Sequence, residues 1–258
     1  MFRNVIFYPS RIGQKLYGVD ETPQLIKPLL NRNMNIINTT VRNNLFSSLD
    51  NLYINNLFVK GPRINIGGDH SMSIATVAHS LRLYPNLKVI WMDAHPDINT
   101  YYSSTAKNIH GMPLSTLIGI ENKLKFNFMC NYLNTKNLLY IGIRDIDPFE
   151  KYIIDKFNIK VITVEQINCK KERNNSINII NNFIRDDPIH LSFDVDVLDP
   201  SLINTTGTPV ENGLNLDACK DILSYLINKN LVSFDLTELN LKIGDNKDVI
   251  KSLINLSY

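Results

Sequence analysis

Cysteine is scarce in this chain, and Cys130, Cys169 and Cys219 sit far apart with no CxxC pair. That spacing argues against both a disulfide framework and a thiolate zinc site, and reduced thiols fit a cytoplasmic setting. Long apolar runs are missing too, and none approaches the roughly 20 residues that cross a bilayer. The apolar start Val5–Tyr8 meets Pro9 too soon for a secretory leader. Clustered positive charge is absent: the formal net charge is +2 without a dense basic run, which argues against nucleic acid as the main partner. Alanine is rare while asparagine and isoleucine are abundant, a bias that reads as coding composition. Low-complexity linkers and internal repeats are also lacking, so residues 1–258 are expected to form one domain, soluble and cytoplasmic.

What is present is ordinary globular material. With 44% hydrophobic and 20% charged residues among 258, the chain can bury a sizeable core. Short apolar runs at Val5–Tyr8, Arg63–Ile66, Leu87–Met92, Leu138–Ile143, Lys160–Thr163, Ile189–Phe193 and Leu231–Phe234 read as buried strands. Between them, Ser71–Leu83, Pro148–Phe157, Ser176–Ile184, Leu216–Asn228 and Asp248–Leu256 carry helical spacing, as does Glu21–Leu30, whose end Pro28 should disturb. Alternating strand and helix implies an α/β protein with a parallel sheet covered on both faces. In such sheets ligands bind beyond the carboxyl ends of the strands. Three of those ends are chemically unusual.

The first is Gly67-Gly68-Asp69-His70-Ser71, where two glycines permit a tight turn and His70 opens a helix; alone it reads equally well as a helix start capped by Asp69. In the second, four apolar residues run into Asp93, His95 and Asp97, and extended chain puts Asp93 and His95 on one face. The third repeats that geometry with Asp194 and Asp196, while Asp199 ahead of Pro200 reads as a turn residue. Paired carboxylates at buried strand ends repel unless a cation lies between them. Four carboxylates with two imidazoles suit Mn²⁺ or a similar metal. Six donors exceed what one open catalytic ion needs, so two ions and hydrolytic chemistry are expected.

These segments resemble the signature blocks of the arginase/agmatinase (ureohydrolase) family. The resemblance rests on Gly-Gly-Asp-His-Ser at 67–71, Asp-Ala-His-Pro-Asp-Ile-Asn-Thr at 93–100 and Ser-Phe-Asp-Val-Asp at 192–196. It extends through Gly13–Pro23, His110–Pro113, Arg144–Pro148, Gly207–Val210 and Asp235–Asn240, and so spans nearly the whole chain. It implies a three-layer α/β/α sandwich with a mostly parallel central sheet. It also implies two Mn²⁺ per subunit, one held by His70, Asp93, Asp97 and Asp194, the other by Asp93, His95, Asp194 and Asp196. A metal-bridging hydroxide would attack the guanidinium of L-arginine, giving L-ornithine and urea. Asp97 would orient it and pass a proton to the leaving amine, His110 would shuttle protons, and Glu238 would pair with the guanidinium. His110 and Thr208 also have plainer readings, as a packed histidine beside a helix and as a turn residue.

Specificity is expected from the groups that meet the substrate's other end. The arginase pattern implies that Asn99, Ser104 and neighbouring hydroxyls meet an α-carboxylate, and that Asp147 and Glu150 receive an α-amino group, with His95 and Thr208 lining the pocket. The chain departs from that pattern at Ala106, where serine is usual, and at Lys107, where glycine is common. Lys107 is expected to offset the lost hydroxyl by attracting the carboxylate. Glu211-Asn212 and Val197 also replace smaller residues. Agmatine or another guanidino compound is therefore the alternative substrate, and a catalytically silent metal-binding homologue the alternative of another class. The resemblance implies trimers or hexamers, and the short stretch after the last helical segment points to a smaller assembly.

Overall fold

The computed structural model describes residues 2–254. β1 (Asn4–Tyr8) passes through α1 (Thr22–Ile26) to β2 (Asn35–Asn38), and α2 (Leu45–Phe58) leads into β3 (Arg63–Gly67). There follow α3 (Ser73–Leu83), β4 (Lys88–Met92), α4 (Pro113–Leu117), β5 (Leu138–Ile141), α5 (Pro148–Phe157) and β6 (Lys160–Ile162). The chain continues through α6 (Val164–Asn168), α7 (Lys170–Ile184), β7 (Ile189–Asp194), α8 (Leu216–Ile227), β8 (Leu231–Thr237) and α9 (Lys247–Ile254). The strands form one sheet in the order β2-β1-β3-β8-β7-β4-β5-β6. Every pair is parallel, where the sequence predicted a mostly parallel sheet.

Strand periodicity divides the apolar residues between two cores. Phe7, Ile66, Met92, Leu191 and Phe193 pack with residues of α6, α7 and α8, whereas Ile6, Val89, Trp91 and Tyr140 pack with α2, α3, α4 and α5. Three layers result. No helix among the described residues is long and apolar enough to cross a membrane.

β2, α2 and α6 escaped the sequence reading. β2 is a four-residue edge strand with asparagine at both ends, too short and polar to show alternation. α2 buries Leu45, Leu49, Leu52, Tyr53 and Asn56, a helical spacing diluted by serines and asparagines, and Asn44 caps it by accepting from the Ser47 N–H at 2.8 Å. Pro28 acts as anticipated: α1 stops at Ile26 and gives way to a short 3₁₀ turn. Of the helix predicted over Asp248–Leu256, residues 255 and 256 lie outside the described residues.

The topology places the chemistry. After β3 the chain crosses to β4, three positions away, and β7 and β8 later fill the gap. The carboxyl ends of β3, β8, β7 and β4 are thus neighbours beside a switch in winding direction, where open sheets bind ligands. Beneath them runs a buried polar seam. Asp235 accepts from Asn65 Nδ2 at 2.7 Å, from Ser73 Oγ at 3.1 Å and from Thr76 Oγ1, and lies 2.9 Å from His190 Nε2. His190 Nδ1 lies 2.9 Å from Ser80 Oγ. Burial alone would raise the Asp235 carboxyl, but His190 and these donors outweigh it and hold it below its usual value.

Replacing one member of such a network strands the others without water. We expect Asp235→Ala to cost about 3–5 kcal/mol, read as a lower urea midpoint at unchanged slope. A loss under about 1 kcal/mol would mean that the seam contributes little net stability.

Candidate metal centre and substrate cavity

Each ligand-bearing segment is shaped by its backbone. A Cβ on Gly68 would lie 1.6 Å from the Ser10 carbonyl oxygen, so only glycine permits the turn after β3. Asp69 does cap that turn, accepting from the Ser71 N–H at 3.0 Å and from the Gly13 N–H at 3.0 Å. His70 then stacks on Trp91, ring centroids 4.2 Å apart, with Nε2 2.7 Å from Ser192 Oγ. The ring is clamped. At the end of β4, Asp93 accepts from Trp91 Nε1 at 2.9 Å and from the His95 N–H at 2.7 Å. After β7, Asp194 accepts from the Asp196 N–H and Asp196 from the Ala94 N–H, both at 3.0 Å.

Two further devices hold these segments. The Arg144 guanidinium donates to the carbonyls of Asp196, Val210, Glu211 and Gly142, tying three loops together. Gly142, at φ 92°, leaves the room that Val197 needs, for a Cβ there would lie 2.6 Å from Val197 Cγ2. Asp97 and Glu238 both stand in the left-handed region, at φ 50° and 61°. Non-glycine residues persist there only when their surroundings impose it.

The donor chemistry fits a pair of cations. His70 Nδ1 is buried and makes no hydrogen bond among the described residues, although oxygens of Asp93, Asp97 and Asp194 lie 3.2, 3.0 and 3.1 Å away. An octahedral ion with bonds of about 2.1 Å would set neighbouring donors about 3 Å apart. Asp93, His95 and Asp196 make a second group, with His95 Nδ1 3.6 Å from Asp93 Oδ1 and 3.0 Å from Asp196 Oδ2. The two groups share Asp93. Without cations the same cup must take up protons. Burial, reinforced by Asp93, pushes the Asp97 carboxyl up to about 6, and burial with Asp196 and Asp93 holds Asp194 well above the usual carboxylate range. Burial disfavours a charged His95, yet its contacts with Asp196 and Asp93 push it up to about 12.

These groups open on a cavity of about 370 Å³. His95, Asp97, His110, Asp194, Asp196 and Glu238 line it, as do Asn99, Ser104, Ala106, Asp147, Glu150 and Thr208. His70 and Asp93 lie behind that surface, each about 1% exposed. Asn99 Nδ2 donates to Asp147 Oδ2 at 2.8 Å, whereas both Glu150 oxygens accept backbone N–H groups, from Asp147 and Ile98. Burial pushes the Glu150 carboxyl up to about 8. Thr208 Oγ1 approaches Asp196 at 3.4 Å. Lys107 does not line the cavity; its ammonium donates to the Tyr101 and Tyr102 carbonyls and lies against the Tyr101 ring.

Glu238 and His110 meet at 3.0 Å, through Oε1 and Nδ1, and the His70 N–H donates to the same oxygen at 2.8 Å. Burial works against a charged His110, but Glu238, Asp97 and Asp69 raise it to about 9. Four participants went unread in the sequence. Trp91 and Ser192 buttress His70, Asp145 lies 3.5 Å from His95 Nε2, and Asn108 joins the cavity lining. Trp91 could have been found, since it shares a strand face with Asp93.

Known proteins agree with this architecture. Residues 25–253 match the model of the arginase family. The chain is 36% identical to the arginase of Entamoeba histolytica over 99% of its own length and 87% of that protein's, and 32% identical to the non-hepatic arginase 3 of Xenopus laevis over 98% and 80%. The crystal structure of the Entamoeba histolytica arginase in complex with L-ornithine superposes with a TM-score of 0.89 at 32% identity, covering 99% of this chain and 98% of that one. A family match across most of the chain, joined to a sheet whose central ends gather these donors, leaves one assignment: the chain belongs to the arginase family.

Proposed function

We propose that this protein hydrolyses the guanidino C–N bond of L-arginine, giving L-ornithine and urea. The observation that carries the reading is the pair of donor groups sharing Asp93 at one end of a polar cavity. The related structure holding L-ornithine supports the same substrate. In this reading His70, Asp93, Asp97 and Asp194 hold one Mn²⁺, and Asp93, His95, Asp194 and Asp196 hold the other. Oxygen-rich donors with imidazole nitrogen favour manganese over softer metals. When bound, such a pair supplies a water acidic enough to act as nucleophile near neutral pH.

The chain's own residues do the rest. Glu238 pairs with the guanidinium and fixes its carbon near the nucleophile, which lowers the entropic part of the barrier. Asp97 moves a proton to the leaving amine. His110, 20% exposed at its side chain, carries protons between the cavity and solvent. Asn99 and Ser104 receive the α-carboxylate, while Asp147 and Glu150 draw the α-amino group. Asp147 is the stronger contributor, because both Glu150 oxygens already serve backbone amides. Ala106 offers the carboxylate no hydroxyl, and that keeps agmatine as the second reading.

Metal-stripped protein reloaded with Mn²⁺ should regain urea release from L-arginine, with little from agmatine run in parallel. Urea chiefly from agmatine would transfer the specificity, and urea from neither would leave a metal-binding homologue. Protons compete with the cations for the cup. Because Asp97, Asp194 and His95 all hold protons more tightly than the free side chains do, metal retained after dialysis should fall steadily as the pH is lowered from 8 to 5; retention indifferent to pH over that range would count against this donor set. Ala106→Ser should lower KM for arginine about tenfold, the worth of one hydrogen bond to a charged group, and leave agmatine unchanged. Equal effects on both would remove Ala106 from the carboxylate end.

A further inference from the structure

We propose that Gln14 is a positioning residue for guanidinium recognition: its side-chain amide holds the Glu238 carboxylate in the orientation that meets the substrate. This rests on the reading of Glu238 as the guanidinium partner. Glu238 sits at φ 61°, with its N–H donating to the Gly68 carbonyl at 3.0 Å, so its direction is imposed by neighbours. One carboxylate oxygen, Oε1, has the His70 N–H and His110 Nδ1. The other, Oε2, accepts from Gln14 Nε2.

The amide is held for its donor. Gln14 is 7% exposed, and its own carbonyl oxygen, Oε1, is buried without a partner among the described residues. Turning the amide over would set that oxygen against the carboxylate, so the carbonyl is left unsatisfied while the NH₂ faces Glu238. Gln14 does not line the cavity and acts through Glu238 alone. Its neutrality matters. A lysine or arginine in its place would add a further full charge beside Glu238, whose Oε1 already meets His110, whereas an amide orients the carboxylate without adding charge.

The backbone carrying Gln14 is secured independently of the side chain. The Gly13 N–H donates to Asp69 Oδ2 at 3.0 Å, and the Gly13 carbonyl accepts from the His110 N–H at 3.1 Å. The residue before Gln14 is therefore bonded to the segments that carry His70 and His110, the two groups that share Oε1.

The test compares a ligand that has the guanidinium with one that lacks it, on full-length metal-loaded protein. Gln14→Met keeps length and bulk but removes the donor. KM for L-arginine should rise about tenfold, while the inhibition constant of L-ornithine and the metal content stay within twofold of wild type. An unchanged KM, or a parallel rise in both constants, would overturn the proposal, the second because it reports a pocket deformed as a whole. Gln14→Lys serves if the methionine variant does not fold. It retains a donor but adds a charge, and should raise the arginine KM with ornithine again unaffected; unchanged arginine KM would overturn the proposal there too. Should wild type release urea from another guanidino compound and not from arginine, the reading of the substrate fails separately. The same comparison then runs on that compound and its amine product, since the guanidinium is common to both.

Discussion

Everything at the carboxyl end of this sheet is governed by mutual repulsion among buried carboxylates. Asp93, Asp97, Asp194 and Asp196 are each at least nine-tenths buried and meet around two imidazoles. Such a cup is tolerable only when it holds positive charge, as protons or as metal ions. Its raised carboxyls record the first solution, and the unbonded nitrogen of His70 is shaped for the second. A site of this kind cannot be soft, because any slack would let the like charges drift apart.

The rest of the molecule supplies that stiffness. Trp91 and Ser192 lock the His70 ring from two sides, and backbone N–H groups occupy the carboxylate oxygens that do not face it. Arg144 spreads one guanidinium over several carbonyls, and among the described residues it makes no salt bridge. Lys107 does the same on a smaller scale: it occupies φ 57° and turns its ammonium back onto the Tyr101 and Tyr102 carbonyls. Both cations act as braces for irregular backbone, a use distinct from ion pairing.

Most of this was legible in the residues because the site is written at strand ends. An apolar run stopping at Asp93 or Asp194 announces both the strand and the buried carboxylate at its carboxyl end. The i, i+2 spacing then says which side chains share a face. What stayed hidden depends on contacts between distant segments. Nothing local marks Gln14 as a partner of Glu238, 224 residues further on. The direction of Lys107 was equally invisible, since a charge beside a pocket can point either way. α2 was missed for a different reason: its apolar positions have helical spacing, but asparagine and serine blur the contrast between its faces.

The strand order carries a consequence for how the molecule comes into being. β8 is the last strand among the described residues, yet it lies between β3 and β7. Until it arrives, the sheet exists as two slabs, each with a bare edge where the centre should be, and open parallel edges invite wrong partners. The ligands of β3 sit on one slab and those of β4 and β7 on the other. During synthesis the growing polypeptide thus carries incomplete fragments of the donor cup for most of its length. Insertion of a single late strand joins them, so the donors on the two slabs can meet only once β8 is in place.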